Sequence, residues 1–314
     1  MATLWPFLIS ASLTALLAYG LLRWAPRWGL LDEPTPRTRK AHPRSVPVGG
    51  PALVLGVLAG AAPFLLASEW GRSWIAGGAL VALVGTWDDR RALSPWVKLA
   101  GQLGAALIPV ALGPFLIPSL SLFGWEMPLG ALAIPVTLLW VVGITNALNL
   151  IDGLDGLACG QALVAALALA GLSAQTGSGA ALALSFALLG GSLAFLAFNR
   201  HPARLFLGDG GSYFLGFTLA LLSVSALLGP ELQSQGRGVS LLVPIAILGY
   251  PIADTLWAIV RRLRAGRSIF QPDAEHLHHG IREALGDERK AVWALYGLFF
   301  LLAALGMAIG ASGR

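Results

Sequence analysis

Three clusters of carboxylates and amides stand at the ends of apolar runs, and a histidine cluster follows them. Asp88 and Asp89 sit in Gly85-Thr86-Trp87-Asp88-Asp89-Arg90-Arg91. Two adjacent carboxylates repel, which raises one pKa and suits a general base; they could equally hold a divalent cation. The bland alternative is a helix-end acidic pair neutralised by Arg90 and Arg91. Asn146, Asn149, Asp152 and Asp155 recur every three residues. On a helix that spacing keeps neighbours on one face, where two amides and two carboxylates offer hydrogen bonds and hard oxygen ligands. Gly153 and Gly156 interrupt the run where backbone could approach a ligand. The competing reading is a polar cap against neighbouring loops, at a lipid boundary where four such residues are costly.

Gly208-Asp209-Gly210-Gly211-Ser212 precedes another apolar run. A glycine-rich turn opening a helix offers backbone N–H groups to an anion. Asp209 would repel a bare phosphate, so a cation between them reconciles the two. Magnesium suits, because it takes one or two carboxylates plus phosphate oxygens. Phe206, three residues earlier, is a packing residue or a surface for a base to stack on. His276, His278 and His279 follow Asp273 and Glu275. Zinc normally wants a helical i,i+4 pair or cysteines, and the one cysteine, Cys159, lies elsewhere and reads as filler. The histidines therefore read as hydrogen-bond donors to phosphate, against the alternative of a surface loop that binds nothing. Asp254, inside an apolar run, has either a structural partner such as an arginine or a catalytic role.

These residues are set in a chain that is 56% hydrophobic and 12% charged, against roughly 25% charged in soluble domains. That composition predicts an all-α, polytopic membrane protein in one domain, 1–314. Spanning takes about 20 apolar residues per helix. Ten spans are expected near 3–25, 47–67, 73–88, 96–117, 128–149, 157–175, 180–198, 212–229, 239–260 and 290–311. No basic residue precedes the first run and no small-residue cleavage site follows it, so it reads as a span, not a signal peptide. The glycines and alanines suit close helix packing in lipid.

With both termini outside the cytoplasm, 18 of the 21 Lys and Arg fall inside, leaving Arg72, Arg237 and Arg314 outside. The positive-inside rule selects that orientation. Thirteen of the 16 Asp and Glu fall on the same side, all but Glu69, Glu126 and Glu231. Every chemical cluster then faces the cytoplasm, on the inner (plasma) membrane. The long inside loop from Arg261 to Lys290 is expected to fold over the mouth of the site.

With these residues on the page, the chain resembles the polyprenyl-phosphate N-acetylhexosamine-1-phosphate transferases of glycosyltransferase family 4. It is most similar to the WecA and TagO branch, related to MraY, the phospho-MurNAc-pentapeptide transferase. The resemblance rests on Arg39-Lys40-Ala41-His42, Pro47-Val48-Gly49-Gly50, Asp88-Asp89, the Asn-Asn-Asp-Asp run, Asn199 with Phe206 and Asp209, Asp254, and Asp273 with the histidines. The His276-Leu277-His278-His279 form differs from the three adjacent histidines of MraY, and the His42 region lacks Thr-Pro-Thr-Met-Gly-Gly. Both departures argue against MurNAc-pentapeptide as substrate.

The resemblance implies a Mg²⁺-dependent reaction, with Mn²⁺ as a substitute. A UDP-N-acetylhexosamine, foremost UDP-GlcNAc, gives sugar-1-phosphate to undecaprenyl phosphate for cell-envelope polysaccharide, releasing UMP. It implies catalytic roles for Asp88, Asp89, Asp155 and His279. It implies nucleotide or diphosphate contacts for His42, Asn149, Asp152, Asn199, Phe206, His276 and His278, and Asp209 with Asp152 as metal ligands. The bilayer is a partner, nucleic acid is not, and a homodimer is compatible. The alternatives are a MraY-like enzyme or, from another class, a transporter using intramembrane acids. CDP-alcohol phosphotransferases are excluded, because Leu157-Ala158-Cys159-Gly160 follows Asp155-Gly156 where an Asp-Gly-x-x-Ala-Arg pattern is needed.

Overall fold

The computed structural model describes residues 4–28, 49–113, 115–122, 125–227, 240–268 and 275–312. Helices account for most of them: α1 (Leu4–Trp24), α2 (Gly50–Leu65), α3 (Glu69–Arg90), α4 (Pro95–Leu112), α5 (Ala133–Leu150) and α6 (Leu157–Thr176). These are followed by α7 (Gly179–Asn199), α8 (Gly208–Ser225), α9 (Leu242–Ile247), α10 (Gly249–Arg264), α11 (Leu277–Leu285) and α12 (Glu288–Ser312). Among the described residues, six helical segments are long and apolar enough to cross a membrane: Leu4–Trp24, Pro95–Leu112, Gly130–Leu150, Leu157–Thr176, Gly179–Asn199 and Glu288–Ala311. The chain is therefore a multi-pass membrane protein.

Helix α8 is the axis of the bundle. Every residue from Gly210 to Ser225 is buried, and α3, α5, α2, α6 and α7 pack round it. Lipid gives no hydrophobic drive for helices to associate, so close approach of small residues carries the packing. The α1–α2–α7 group shows this: Ser10 and Thr14 of α1 are fully buried against Gly56 and Gly60 of α2, with Gly191 of α7 against Ser10. Large apolar side chains face outward instead, such as Leu83, Leu139 and Leu301.

Three expectations change. The all-α reading acquires a β-hairpin, β1 (Ser119–Leu122) paired antiparallel with β2 (Trp125–Pro128), with Ser119 opposite Pro128. The fourth apolar segment stops as a helix at Leu112, capped at Gly113, and residues 115–118 belong to no helix or strand, with Ile117 N donating to Thr137 Oγ1 at 3.0 Å. The ninth segment is broken at Leu248 into α9 and α10. Pro251 has no N–H with which to continue the ladder to the Ile247 carbonyl. Buried Gln161 of α6 supplies that bond instead, from Nε2 at 3.1 Å. Helix α11 packs on α12.

Candidate active site

Asp88 and Asp89 lie in the last turn of α3, Lys98 in the first turn of α4, Asn149 in the last turn of α5 and Asp209 in the first turn of α8. Four helix ends thus meet at one end of the bundle. Close backbone contact makes this possible. A Cβ on Gly85 of α3 would collide with the Asp209 carbonyl carbon and oxygen, and one on Gly210 with Thr86. Gly50 of α2 is similarly pressed against Gly211 and the Leu207 carbonyl, and Gly49 N donates to Phe206 O at 2.9 Å. The Gly49-Gly50 pair of the sequence motif thereby seats α2 on the start of α8.

The two adjacent carboxylates have different jobs. Asp88, nearly buried, accepts from Leu93 N at 2.7 Å and is paired with the Lys98 ammonium. Lys98 Nζ also lies 3.6 Å from Asp209 Oδ2. Lys98 thus stands beside both the Asp88 and the Asp209 carboxyl groups and offsets their repulsion. Asp89 instead turns onto the start of α8, where Oδ1 accepts from Asp209 N at 2.7 Å and Oδ2 from Gly210 N at 3.1 Å. This corrects the expectation that these N–H groups await a substrate anion. The anion at the helix N-terminus is the chain's own Asp89 carboxylate, placed where the helix dipole favours it. Gly208, at φ +67°, leaves room for that carboxylate.

Asp209 is held on its other side by Asn149, whose Nδ2 donates to Oδ1 at 2.8 Å and to Ser212 Oγ at 3.0 Å. Tyr213 OH donates to Asp209 Oδ2 at 3.4 Å. Asp152 belongs to the same electrostatic unit. Burial, then the carboxylates of Asp209, Asp89 and Asp155, push its pKa well above the ordinary carboxylate range.

The four-residue stripe does not share one helical face. Helix α5 ends at Leu150 and α6 starts at Leu157, so Asp152 and Asp155 lie in the turn between them. Asn146 faces elsewhere, exchanging side-chain hydrogen bonds with Gln102 of α4 at 2.7 and 3.3 Å. Asp155 also turns away. Its Oδ2 accepts from Ala203 N at 3.0 Å and lies 2.9 Å from His201 Nδ1, while its own N–H donates to Glu288 Oε1 at 3.1 Å. Among the described residues, Asp155, His201 and Glu288 are the three acidic or histidine side chains whose ligand atoms lie within 4.8 Å of one another. His201 Nδ1 also lies 3.4 Å from Glu288 Oε1. Asn199 is buried and uses Nδ2 to hold Leu205 O at 2.9 Å. It shapes the turn that leads to Phe206 and Asp209.

The histidines are positioned by Asp254 of α10. Oδ2 lies 2.8 Å from His276 Nδ1, and Oδ1 accepts from Leu277 N at 2.7 Å. Of the two readings left open for Asp254, a structural partner or a catalytic role, these contacts supply the partner, a histidine and a helix-start amide. His276 stacks on His278 with centroids 5.5 Å apart, and His278 lies 4.2 Å from His279. A Cβ on Gly153 would strike His278 Nε2, so α11 rests on the turn that carries Asp152. Burial, then the neighbouring His279, lowers the His278 pKa to about 3, and burial lowers that of His279. His42 and Asp273 lie outside the described residues.

The structure thus brings together Asp88, Asp89, Asn149, Asp152 and Asp209, with His278 against the same turn. Lys98 joins them without having been singled out. Its signal was a lone lysine at the start of an apolar helix, one helix after the acidic pair.

Residues 72–227 match the description Glycosyl transferase family 4. The chain is 38% identical over 307 residues to a probable undecaprenyl-phosphate N-acetylglucosaminyl 1-phosphate transferase of Bacillus subtilis (strain 168), covering 95% of this chain and 83% of that protein. It is 37% identical over 298 residues to a decaprenyl-phosphate N-acetylglucosaminephosphotransferase of Mycobacterium leprae (strain TN), covering 83% and 72%. It is 29% identical over 303 residues to an undecaprenyl-phosphate alpha-N-acetylglucosaminyl 1-phosphate transferase of Escherichia coli (strain K12), covering 94% and 80%.

Proposed function

This chain belongs to glycosyl transferase family 4, and we propose that it moves N-acetylglucosamine 1-phosphate from UDP-N-acetylglucosamine to a polyprenyl phosphate. The bond formed joins an oxygen of the lipid phosphate to the sugar-bearing phosphorus, and the bond from that phosphorus to UMP breaks. The observation that carries the reading is the meeting of Asp88, Asp89, Asn149 and Lys98 around Asp209 at one end of the bundle. A site at helix ends can receive a lipid from the bilayer and a nucleotide from water. A transporter would place its acids near the midplane between repeats.

Ten crossings with both termini outside would put this end of the bundle at the cytoplasmic face of the inner membrane. The distribution of Lys and Arg supports that placement. The donor chemistry fits magnesium. Asp209 and Asp152 offer hard oxygens, and their mutual repulsion favours a cation beside them. When bound, the ion would neutralise the diphosphate and polarise the phosphoryl oxygen. The chain's own residues do the rest. Asn149 and Tyr213 orient Asp209, Asp89 fixes the backbone beneath it, and Lys98 balances Asp88 beside the entering phosphate. Asp88 is the group placed to assist the acceptor, and His278 with His279 would donate hydrogen bonds to the diphosphate.

The test is Asp209→Asn in purified membranes supplied with polyprenyl phosphate, UDP-N-acetylglucosamine and Mg²⁺. UMP release should fall by orders of magnitude while thermal unfolding stays near wild type. Near-wild-type turnover would remove Asp209 from the chemistry.

A further inference from the structure

A cavity lies beside Asp155, in the turn that follows Asp152. It is about 730 Å³, between the end of α7, the turn at His201 and the start of α12. Its rim carries Arg200, Arg204 and Arg289, and Val292, Trp293 and Tyr296 are among its apolar walls. Among the described residues, these three arginines form no ion pair; Arg204 rests its guanidinium 5.5 Å from the Phe198 ring centre. Asp155 and Glu288 stand beside them and offset part of their charge. Asp155 is engaged by His201 and Ala203 N, and Glu288 by the Asp155 amide. Three arginines against the carboxylates of Asp155 and Glu288 leave a net positive edge beside an apolar groove.

We propose that this cavity binds the phosphate headgroup of an anionic phospholipid from the adjacent leaflet. The arginines would meet the phosphate, and the acyl chains would run along the walls. Trp293 is 71% exposed, a placement that suits an indole at the membrane–water interface. The apolar surface continues away from the cations along Leu193 of α7 and Phe300 of α12, each half exposed and each on its helix face by i,i+3 or i,i+7 spacing. Basic pockets between membrane helices bind anionic headgroups for this reason. The floor is not passive: Tyr296 OH donates to Gly156 O at 2.8 Å. The lipid would therefore rest against the turn that holds Asp152. This site does not depend on the transfer reaction proposed above.

The full chain, purified in neutral detergent, is titrated with dibrominated phosphatidylglycerol or dibrominated phosphatidylcholine, and tryptophan quenching is read. Wild type should bind the anionic lipid preferentially, and Trp293→Phe should remove the quenched component. The triple variant Arg200→Gln/Arg204→Gln/Arg289→Gln should bind roughly 100-fold more weakly. Equal quenching by both lipids overturns the proposal, as does a folded triple variant with unchanged affinity. Inorganic phosphate displacing the lipid at equal concentration would make this a free-anion site and overturn the lipid assignment. Loss of a dimer in the variant with lipid binding intact would assign the groove to a second copy. Should the triple variant fail to fold, Arg289→Gln alone, with quenching lost in Trp293→Phe, decides the matter.

Discussion

Asp89→Asn separates a structural from a chemical role for the second carboxylate of the pair. Asp89 gives one oxygen to each of two first-turn amides of α8, at 2.7 and 3.1 Å. Asparagine keeps the shape and one oxygen, so one amide keeps its acceptor and the other faces an NH₂ group. A buried donor left unsatisfied costs about 2 kcal/mol, and the lost charge at the helix start about 1 kcal/mol. The variant should therefore be destabilised by about 3 kcal/mol. Because the amide that loses its partner is that of Asp209 or its neighbour, the Asp209 carboxylate should also shift. A misplacement of about 1 Å at a reacting group costs roughly 100-fold in rate. Thermal unfolding in detergent and UMP release from the same preparation measure both effects. Full thermal stability with activity abolished would refute the capping argument and return Asp89 to direct chemistry. Full stability with full activity would show that neither hydrogen bond matters.

Three further outcomes follow from the geometry. Lys98→Met leaves Asp88 buried beside Asp209 with the Leu93 amide as its remaining backbone donor; breaking such a pair should cost roughly 3 kcal/mol, read by unfolding, and Lys98→Arg should recover part of it. His278 titrates in the folded chain near pH 3 but near 6.5 when unfolded. The unfolded state therefore takes up a proton first, so stability should decline as pH falls below about 6.5, and His278→Gln should flatten that decline in melting curves recorded from pH 7 to 5. Gly153→Ala drives a methyl group into His278 and should reduce transfer at least tenfold with the bundle intact, whereas Gly104→Ala, which meets open space, should not; equal activity in the two would detach α11 from the site.

What could be read from the chain was whatever composition and local pattern dictate. Lipid forces backbone polar groups to be satisfied within each segment, so long apolar runs announce helices. For the same reason carboxylates at the ends of those runs stand out, and Asp88, Asp89, Asn149, Asp152 and Asp209 were all visible in advance. The family resemblance was legible from their order.

Partner choice was not legible, because it depends on contacts between residues far apart in the chain. The three-residue spacing of Asn146, Asn149, Asp152 and Asp155 suggested one face, yet the packing of α4 on α5 pairs Asn146 with Gln102, and the helix end at Leu150 frees Asp155 to reach His201. The Gly-Asp-Gly turn looked like an anion site, and only the packing of α3 on α8 showed that Asp89 fills it. The break at Leu248 follows from Pro251, but its tolerance rests on Gln161 from a different helix. Sequence fixes which groups are too costly to leave in lipid without a purpose. Tertiary structure decides which of them share a charge, a proton or a helix end, because those energies act over a few ångströms between residues as much as 140 positions apart.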